Sequence, residues 1–342
     1  MKSIALKLKY ILIRYKMNIY ITLDYELFFG ARSGSVENCI IKPTRALLKI
    51  ADSNNIKIVC FVDVGYLVKL EEQKEKYSQL QEDYTKITRQ IKHLADNGHG
   101  IGLHIHPHWE DSYYDGNDWA FNTSRYKLAD FSSDEINRIV SKYTQTLNRI
   151  SGKTAKAYRA GGWSAQPFNE IGNALLENNI TIDSTVFPGG YYYSSNQYYD
   201  FREIESFKGS YKFSNNLTKE DPKGSFKEIP ISSHNVSPLF FWKFAFHKLL
   251  KQKKHQAFGD GLAISKTKKN ILKLLFSPSK SVVSIDGYKA SYLKESYGLH
   301  KKNKAENFVI IGHPKAFTKF SLTQFEKLLK FLKPEDKIIT FN

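Results

Sequence analysis

The sequence MNIYITLD at residues 17–24 decides the fold class, because β-branched and aromatic residues followed by an acid indicate a buried strand. Pro43 and Thr44 open a predicted helix, and IKIVCFV at residues 56–62 is a second apolar strand that ends at Asp63. An alternation of strands and helices is typical of parallel β/α proteins. We therefore predict that strand 17–24 begins a parallel sheet.

The rest of the chain continues this alternation. Gly98 and Gly100 bracket a turn into a third strand, and Ser132 is the predicted N-cap of a helix that runs to about Ile150. Further strands are predicted near residues 155–159, 179–184, 226–231, 281–285 and 307–312, with a Tyr-, Asn- and Gly-rich insertion at 186–225. Without a glycine-rich dinucleotide motif, this strand count favours an α/β barrel with polar residues clustered at the carboxyl ends of its strands.

The domain organisation is predicted to be simple, because the sequence has no repeat of fixed period and no Pro- or Ser-rich linker. We expect one barrel domain at residues 17–342, preceded by a basic extension at residues 1–16 and carrying a basic insertion near residues 240–280. Only two cysteines, Cys39 and Cys60, occur, which excludes a disulfide framework and a cysteine-rich zinc module.

The sequence predicts a cytoplasmic location. No run of about 18 apolar residues exists, so we expect no transmembrane helix. Lys7 and Lys9 interrupt the first apolar stretch, and no small-residue cleavage site follows, so residues 1–16 do not make a convincing signal peptide. These residues are interpreted either as a basic amphipathic helix on a membrane or as a disordered or wrongly assigned extension.

The net charge of +17 is concentrated in two short segments. Residues 1–16 carry five basic side chains and no acid, and residues 243–280 carry ten lysines and one acid. A nucleic-acid partner is not expected, since no helix-turn-helix, ribonucleoprotein or zinc-finger pattern accompanies the charge. Residues 243–280 follow FFW at 240–242 and mix lysines with aromatic residues, which is typical of an interfacial segment on anionic lipid or of a solvated insertion.

Two short motifs carry candidate metal ligands. In HIHPHW at residues 104–109, histidines spaced by two and four at a predicted strand end can aim two imidazoles at one metal ion, although a histidine-rich surface turn is the alternative. In TLDYE at residues 22–26, Asp24 and Glu26 lie on one side of the strand, about 6–7 Å apart. This pair could supply a ligand and a general base, or only an N-cap or a salt bridge.

Three further motifs end predicted strands. In YRAGGW at residues 158–163, Arg159 can keep a neighbouring carboxylate ionised, and the two glycines after Ala160 allow the backbone to approach a ligand closely. The alternative is an ordinary turn between a strand and a helix. DSTVFP at residues 183–188 and IIGHP at residues 310–314 complete the set, the latter with the strand-end histidine His313.

In this order the five motifs resemble the polysaccharide deacetylase family (NodB-like, carbohydrate esterase family 4) over roughly residues 17–315. FVDVGY at residues 61–66 and YDFR at 199–202 are most similar to deacetylases of bacterial surface-polysaccharide gene clusters. The resemblance implies an irregular (β/α)7 barrel. It also implies a metal-dependent hydrolase that removes N-acetyl groups from a sugar of a polysaccharide or glycan precursor, giving an amino sugar and acetate.

The resemblance further implies individual roles. A divalent metal, expected to be zinc, would be bound by Glu26, His104 and His108. Asp24 would be the base, Arg159 its partner and His313 the acid. Substrate contacts are expected from His106, Trp109, Gly162, Trp163 and Asp183, and Asp63 could reach the site or be structural.

Two departures from the family pattern keep alternatives open. The usual adjacent pair of aspartates is absent, and Gly161 and Gly162 replace a Pro-Tyr pair after the arginine. One alternative is a carbohydrate-binding barrel without catalysis. Another is a metal-dependent amide hydrolase that acts on a substrate other than a sugar. The sequence does not choose among a free polymer, a lipid-linked oligosaccharide and a sugar nucleotide as substrate.

Overall fold

The structure is a computed structural model that describes residues 15–250, 252–263, 272 and 274–341. Most of the basic extension at residues 1–16 and the stretch 264–271 of the basic insertion lie outside the described residues. Within the described part of the chain, every helix is too short or too polar to cross a membrane.

The strands form one large sheet and three two-stranded sheets. Their bounds are β1 Asn18–Tyr25, β2 Val59–Asp63, β3 Gly100–Ile105, β4 Tyr113–Tyr114, β5 Trp119–Ala120, β6 Ala157–Ala160, β7 Ile182–Asp183, β8 Tyr191–Tyr193, β9 Tyr198–Asp200, β10 Tyr211–Phe213, β11 Phe226–Glu228, β12 Ser233–Val236, β13 Ser279–Val282, β14 Asn307–Gly312 and β15 Lys337–Ile338. The large sheet has the order β10-β11-β7-β6-β3-β2-β1-β14, with β15 also paired to β1. All of its pairs are parallel except β10 with β11.

Helices connect the parallel strands. Their bounds are α1 Lys42–Ser53, α2 Val64–Gln73, α3 Ser78–Asp96, α4 Ser133–Ser151, α5 Asn169–Glu177, α6 Pro238–Leu249, α7 Leu293–Lys302 and α8 Lys319–Leu329. The N-cap predicted at Ser132 is present, because its side chain and that of Glu135 each bind the other residue's backbone N–H. Gly152 ends the same helix in the left-handed conformation with φ 69°.

Irregular segments close the gap between the two ends of the sheet. The N–H of Ile231 donates to the carbonyl of Val186 at 2.8 Å, and the N–H of Ser232 donates to that of Val309 at 3.0 Å. Pro230 has no backbone N–H to donate to a neighbouring strand, so a regular strand is not expected here. The predicted irregular α/β barrel is confirmed, and its closure depends on this non-repetitive backbone.

The predicted insertions are loops with their own small elements. The tyrosine-rich region contains the antiparallel hairpin of β8 and β9. The basic insertion starts after β12, runs through α6 and returns to β13, which pairs with β12 in antiparallel fashion. The tyrosine-rich insertion leaves the barrel after β7, whose last residue is Asp183.

Candidate active site

The candidate site lies at the carboxyl ends of four parallel strands. Asp24 is the penultimate residue of β1, His104 the penultimate residue of β3, and Arg159 lies in β6 directly beside His104 in the strand register. Glu26 follows β1, and His313 follows β14, the other neighbour of β1. Because adjacent parallel strands end at one edge, residues far apart in sequence meet there.

Glu26, His104 and His106 form a buried group whose ligand atoms all lie within 4.8 Å of one another. Oε2 of Glu26 lies 2.7 Å from Nε2 of His106 and 3.2 Å from Nε2 of His104. Nδ1 of His104 lies 2.8 Å from the carbonyl oxygen of Arg159, which can only accept a hydrogen bond. The neutral imidazole of His104 therefore presents a lone pair on Nε2 toward the Glu26 carboxylate.

Two acceptors that face each other need a cation or a proton between them. Two imidazoles and a carboxylate, with one imidazole fixed by a backbone carbonyl, fit a divalent metal such as zinc. Without a metal, burial opposes the charge on His104, but Asp24 and Glu26 outweigh it and raise its pKa to about 9. Burial lowers the pKa of His106 to about 4, so this ring stays neutral and available as a ligand.

His108, the ligand expected from the sequence, lies outside this group. The chain stays extended from His104 in β3 to His106 just after it, so both rings lie on one side, but Pro107 starts a 3-10 turn that redirects His108. The His108 ring lies parallel to that of Tyr126, with centroids 5.7 Å apart, and neither of its nitrogens has a hydrogen-bond partner among the described residues. The geometry thus replaces the expected spacing of four by a spacing of two.

Gly161 makes room for His106. A Cβ atom on Gly161 would lie 2.6 Å from Nδ1 of His106 and 2.5 Å from the carbonyl oxygen of Ile105. Real Cβ contacts are never that short, so a larger residue would displace the ring or the backbone. The departure from the family pattern at Gly161 therefore has a physical reason, since the turn after β6 passes directly over the imidazole.

Arg159 binds and orients the carboxylate of Asp24 from the buried side. Its side chain is fully buried, and Nη1 donates to Oδ1 of Asp24 at 2.7 Å and to Thr22 at 3.0 Å. Nε and Nη2 donate to the backbone and side chain of Ser184, and the guanidinium lies 4.2 Å from the ring centroid of Phe61. These contacts fix the carboxylate and leave its second oxygen, Oδ2, facing the site.

His313 faces that second oxygen. Its Nε2 lies 3.6 Å from Oδ2 of Asp24, while its Nδ1 lies 2.7 Å from Oδ2 of Asp286. Burial alone would lower the pKa of His313, but Asp286 raises it. The sequence reasoning missed Asp286, although an acid directly after the apolar run 281–285 matches the pattern that singled out Asp24.

Lys315 is a second residue that the sequence reasoning missed. Its Nζ lies 2.9 Å from Oε1 of Glu26, donates to the carbonyl of Leu27, and lies 5.0 Å from the ring centroids of Phe28 and Phe29. Burial favours the neutral acid, but Lys315 and the imidazole of His106 lower the pKa of Glu26 well below its usual value. Lysines are rarely buried, so the sequence offered no signal for this contact.

Trp109 and Asp183 do not face open space. Trp109 is fully buried, and its indole N–H donates to Oδ2 of Asp63 at 2.7 Å. Asp183 is equally buried, accepts hydrogen bonds from Thr185, and shares a hydrogen bond with Glu228. Both side chains are enclosed by the core, so neither offers an exposed surface for the substrate contacts expected from the sequence.

Asp63 is a structural neighbour of the site. It is buried beside His104 in the strand register, and burial raises its pKa to about 7. Its partner is the indole of Trp109, which anchors the turn that follows β3. This placement agrees with the structural reading of Asp63.

Gly162 and Trp163 lie at the open end of β6. Both are partly exposed, and both adopt positive φ angles, of 57° and 58°. The carbonyl of Gly162 accepts a hydrogen bond from Gln197 at 2.7 Å, and the ring of Trp163 packs on that of Tyr199, with centroids 5.7 Å apart. The turn is thus joined to the β8–β9 hairpin, whose Tyr193 is 72% exposed.

No protein-family model matches this sequence, and no curated protein matches it. Among solved structures, a protein from Mycobacterium smegmatis assigned as a polysaccharide deacetylase is 14% identical, with 95% of this chain and 87% of that chain covered at a TM-score of 0.52. The allantoinase PuuE is 10% identical, with 96% and 88% covered at a TM-score of 0.50. The chain therefore has the fold of the NodB-like polysaccharide deacetylases, as its motifs predict.

Proposed function

We propose that this chain is a metal-dependent carbohydrate N-deacetylase that hydrolyses the N-acetyl group of a sugar in a polysaccharide or glycan precursor. The observation that carries the proposal is the position of Oδ2 of Asp24. It lies 3.6 Å from His313 on one side and 3.9 Å from Nε2 of His104 on the other. The proposed base, the proposed acid and the candidate metal-binding group thus lie next to one another at the strand ends, and amide hydrolysis needs this set.

Glu26, His104 and His106 would hold the metal ion. When bound, a divalent ion such as zinc polarises the acetyl carbonyl and lowers the pKa of a water molecule. The carbonyl of Arg159 orients the imidazole of His104 as a ligand, and Lys315 orients the carboxylate of Glu26.

Asp24 acts as the general base. Its Oδ1 is occupied by Arg159, so Oδ2 is the oxygen that takes the proton of the attacking water. The buried guanidinium compensates the carboxylate charge and prevents its rotation. The backbone N–H of Gly162, at the end of β6, is the proposed donor to the developing oxyanion.

His313 acts as the general acid. An amine is a poor leaving group, so the amide nitrogen must receive a proton as the bond to carbon breaks. Asp286 binds Nδ1 of His313 and favours its charged form, which leaves the proton on Nε2 on the side of Asp24. The products are a free amino sugar and acetate.

The β8–β9 hairpin favours a sugar substrate. Tyr191 and Tyr193 are 50% and 72% exposed, and Gln197 of the same hairpin holds the Gly162 turn. Exposed aromatic rings beside a catalytic turn give apolar faces on which sugar rings can stack, while the tyrosine hydroxyls can hydrogen-bond. This surface supports a carbohydrate over a small amide.

Hydrolysis of an amide outside the carbohydrates is the second candidate. The allantoinase shares the fold over nearly the whole chain, so the barrel alone does not select the substrate. The same acid, base and metal-binding residues would serve either reaction. Comparing acetate release from N-acetylated sugars with hydrolysis of allantoin separates the two candidates.

The test of the proposed function is acetate release from N-acetylglucosamine oligomers by the zinc-loaded protein. We expect release that a chelator abolishes and that Glu26→Ala abolishes, while Asp52→Asn on the exposed face of α1 leaves it unchanged. A protein that binds both zinc and the oligomer but releases no acetate would instead be a carbohydrate-binding barrel.

The proposed setting is surface-polysaccharide biosynthesis in a bacterium. We infer a cytoplasmic location with peripheral contact to the inner face of the membrane, and no nucleic-acid partner. The proposed contact with lipid is made by helix α6 of the basic insertion.

A further inference from the structure

The exposed apolar side chains of this molecule are concentrated on one insertion. Of the sixteen large hydrophobic residues that are exposed in the described part of the chain, nine lie between residues 239 and 276. Six of them belong to helix α6 and the residue after it: Leu239, Trp242, Phe244, Phe246, Leu249 and Leu250. We call these six the α6 patch. Scattered exposed leucines are ordinary, but such a cluster marks an interaction site.

One narrow side of α6 packs on the barrel. Phe240 is buried, with its ring 5.3 Å from Tyr288 and 5.1 Å from Tyr292. His247 contacts the same Tyr288 ring at 5.0 Å. The indole of Trp242 donates to the carbonyl of Leu275, so α6 and the returning chain form one surface.

The charge around the patch is positive. Lys243, Lys253 and Lys254 are exposed, and α6 contains no acid. The single acid of residues 243–280, Asp260, is bound by the side chains of Ser35 and Asn38. A partner for this surface must therefore accept both aromatic rings and positive charge.

We propose that the α6 patch docks onto an anionic lipid bilayer, with α6 lying in the interface. Aromatic and leucine side chains interleaved with lysines are what an interfacial helix uses, since the rings enter the acyl boundary while the lysines reach the headgroups. α6 is too short to span a bilayer, so the contact is peripheral.

The docking surface lies beside the candidate active site. Tyr288, on which α6 packs, follows Asp286 by two residues, and Asp286 binds His313. A bilayer under α6 would therefore lie near the strand ends that carry the candidate site. If the proposed deacetylase function holds, a lipid-linked glycan is the substrate that this placement favours.

Vesicle sedimentation tests the docking without any need for catalysis, so its failure is distinct from failure of the proposed function. We expect at least about ten-fold tighter binding to vesicles containing phosphatidylglycerol than to phosphatidylcholine alone, lost at high salt. Phe246→Ser with Leu249→Ser should weaken binding about ten-fold or more. The control is Phe331→Ser with Leu299→Ser, which removes two other exposed apolar residues, 44% and 40% exposed, away from the α6 patch and should change nothing.

A charge series gives a second, independent readout. Lys253→Glu with Lys254→Glu should weaken binding to the anionic vesicles by about ten-fold or more. Lys302→Glu with Lys304→Glu lowers the net charge by the same amount. These two exposed lysines lie at the C-terminal end of α7, away from Tyr292 and α6, so binding should be nearly unchanged. An equal loss in both pairs would mean unspecific attraction of the whole molecule and would overturn the proposal.

Two other outcomes also overturn it. One is equal partitioning of the wild type to neutral and anionic vesicles. The other is a dimer in analytical ultracentrifugation that becomes a monomer on Phe246→Ser with Leu249→Ser, because the patch would then bind a second copy of the chain.

Discussion

The ammonium group of Lys315 lies 2.9 Å from Oε1 of Glu26, and the other oxygen of that carboxylate faces the imidazoles of His104 and His106. One carboxylate therefore connects a buried lysine with the candidate metal-binding group. Lys315 prevents rotation of Glu26 and compensates its charge, so Oε2 remains directed at the histidines. Partners of this kind usually matter for metal affinity almost as much as the ligands.

Replacing Lys315 by methionine should weaken zinc binding by about 10–100-fold, because Glu26 then loses its orienting partner. Competition with a chromophoric chelator measures the affinity. Lys319→Met, an exposed lysine four residues later, is the control and should bind zinc normally. Unchanged or tighter binding by Lys315→Met would contradict the positioning role.

Substitutions of His106 and His108 should have different effects on zinc content. His106→Ala removes a proposed ligand, so we expect loss of stoichiometric zinc. His108→Phe keeps the ring packing against Tyr126 and should keep the metal. The reverse result, zinc lost with His108→Phe and kept with His106→Ala, would restore the spacing of four expected from the sequence.

Substitution of Gly161 by alanine should perturb the metal site without touching a ligand. The new Cβ atom would lie 2.5 Å from the carbonyl oxygen of Ile105 and 2.6 Å from Nδ1 of His106, so the ring or its backbone must shift and zinc affinity should fall by about ten-fold or more. Gly298→Ala in α7 is the control, since a Cβ there meets nothing within 4 Å and a helical alanine should stabilise the protein by about 1 kcal/mol. Equal zinc affinity in both variants would contradict the coupling between the Gly161 turn and the metal-binding group.

These cases show what the sequence could predict and what it could not. Strand-end acids and histidines identified Asp24, Glu26, His104, Arg159 and His313 as candidates, because parallel strands bring their ends together. The exchange of His108 for His106 depends on a turn at Pro107, and the burial of Lys315 depends on two phenylalanine rings. Neither is encoded in local periodicity, and both require the folded barrel.

The buried pair Asp183 and Glu228 should make stability depend on pH. Burial raises the pKa of both carboxyl groups in the folded chain. At a pH above their ordinary pKa values, the folded chain thus binds more protons than the unfolded chain. The unfolding free energy therefore falls as pH rises, by about 1.4 kcal/mol per pH unit for one group. Glu228→Gln is neutral at every pH and can still accept the N–H of Val186.

Urea denaturation of Glu228→Gln at about pH 5 and about pH 8 should therefore show a smaller loss of unfolding free energy than the wild type does. Glu177→Gln, at the exposed end of α5, should behave like the wild type. A steeper fall in Glu228→Gln than in the wild type would mean that the pair is ionised in the folded chain.

Asp24 is the proposed base of a metal-dependent deacetylation. The most direct measurement is the rate of acetate release by Asp24→Asn, with zinc content determined on the same sample. The amide keeps the contact with Arg159 but cannot take a proton, so the rate should fall by about 10²–10⁴-fold while zinc remains stoichiometric. Full activity of the Asp24→Asn protein would contradict the account.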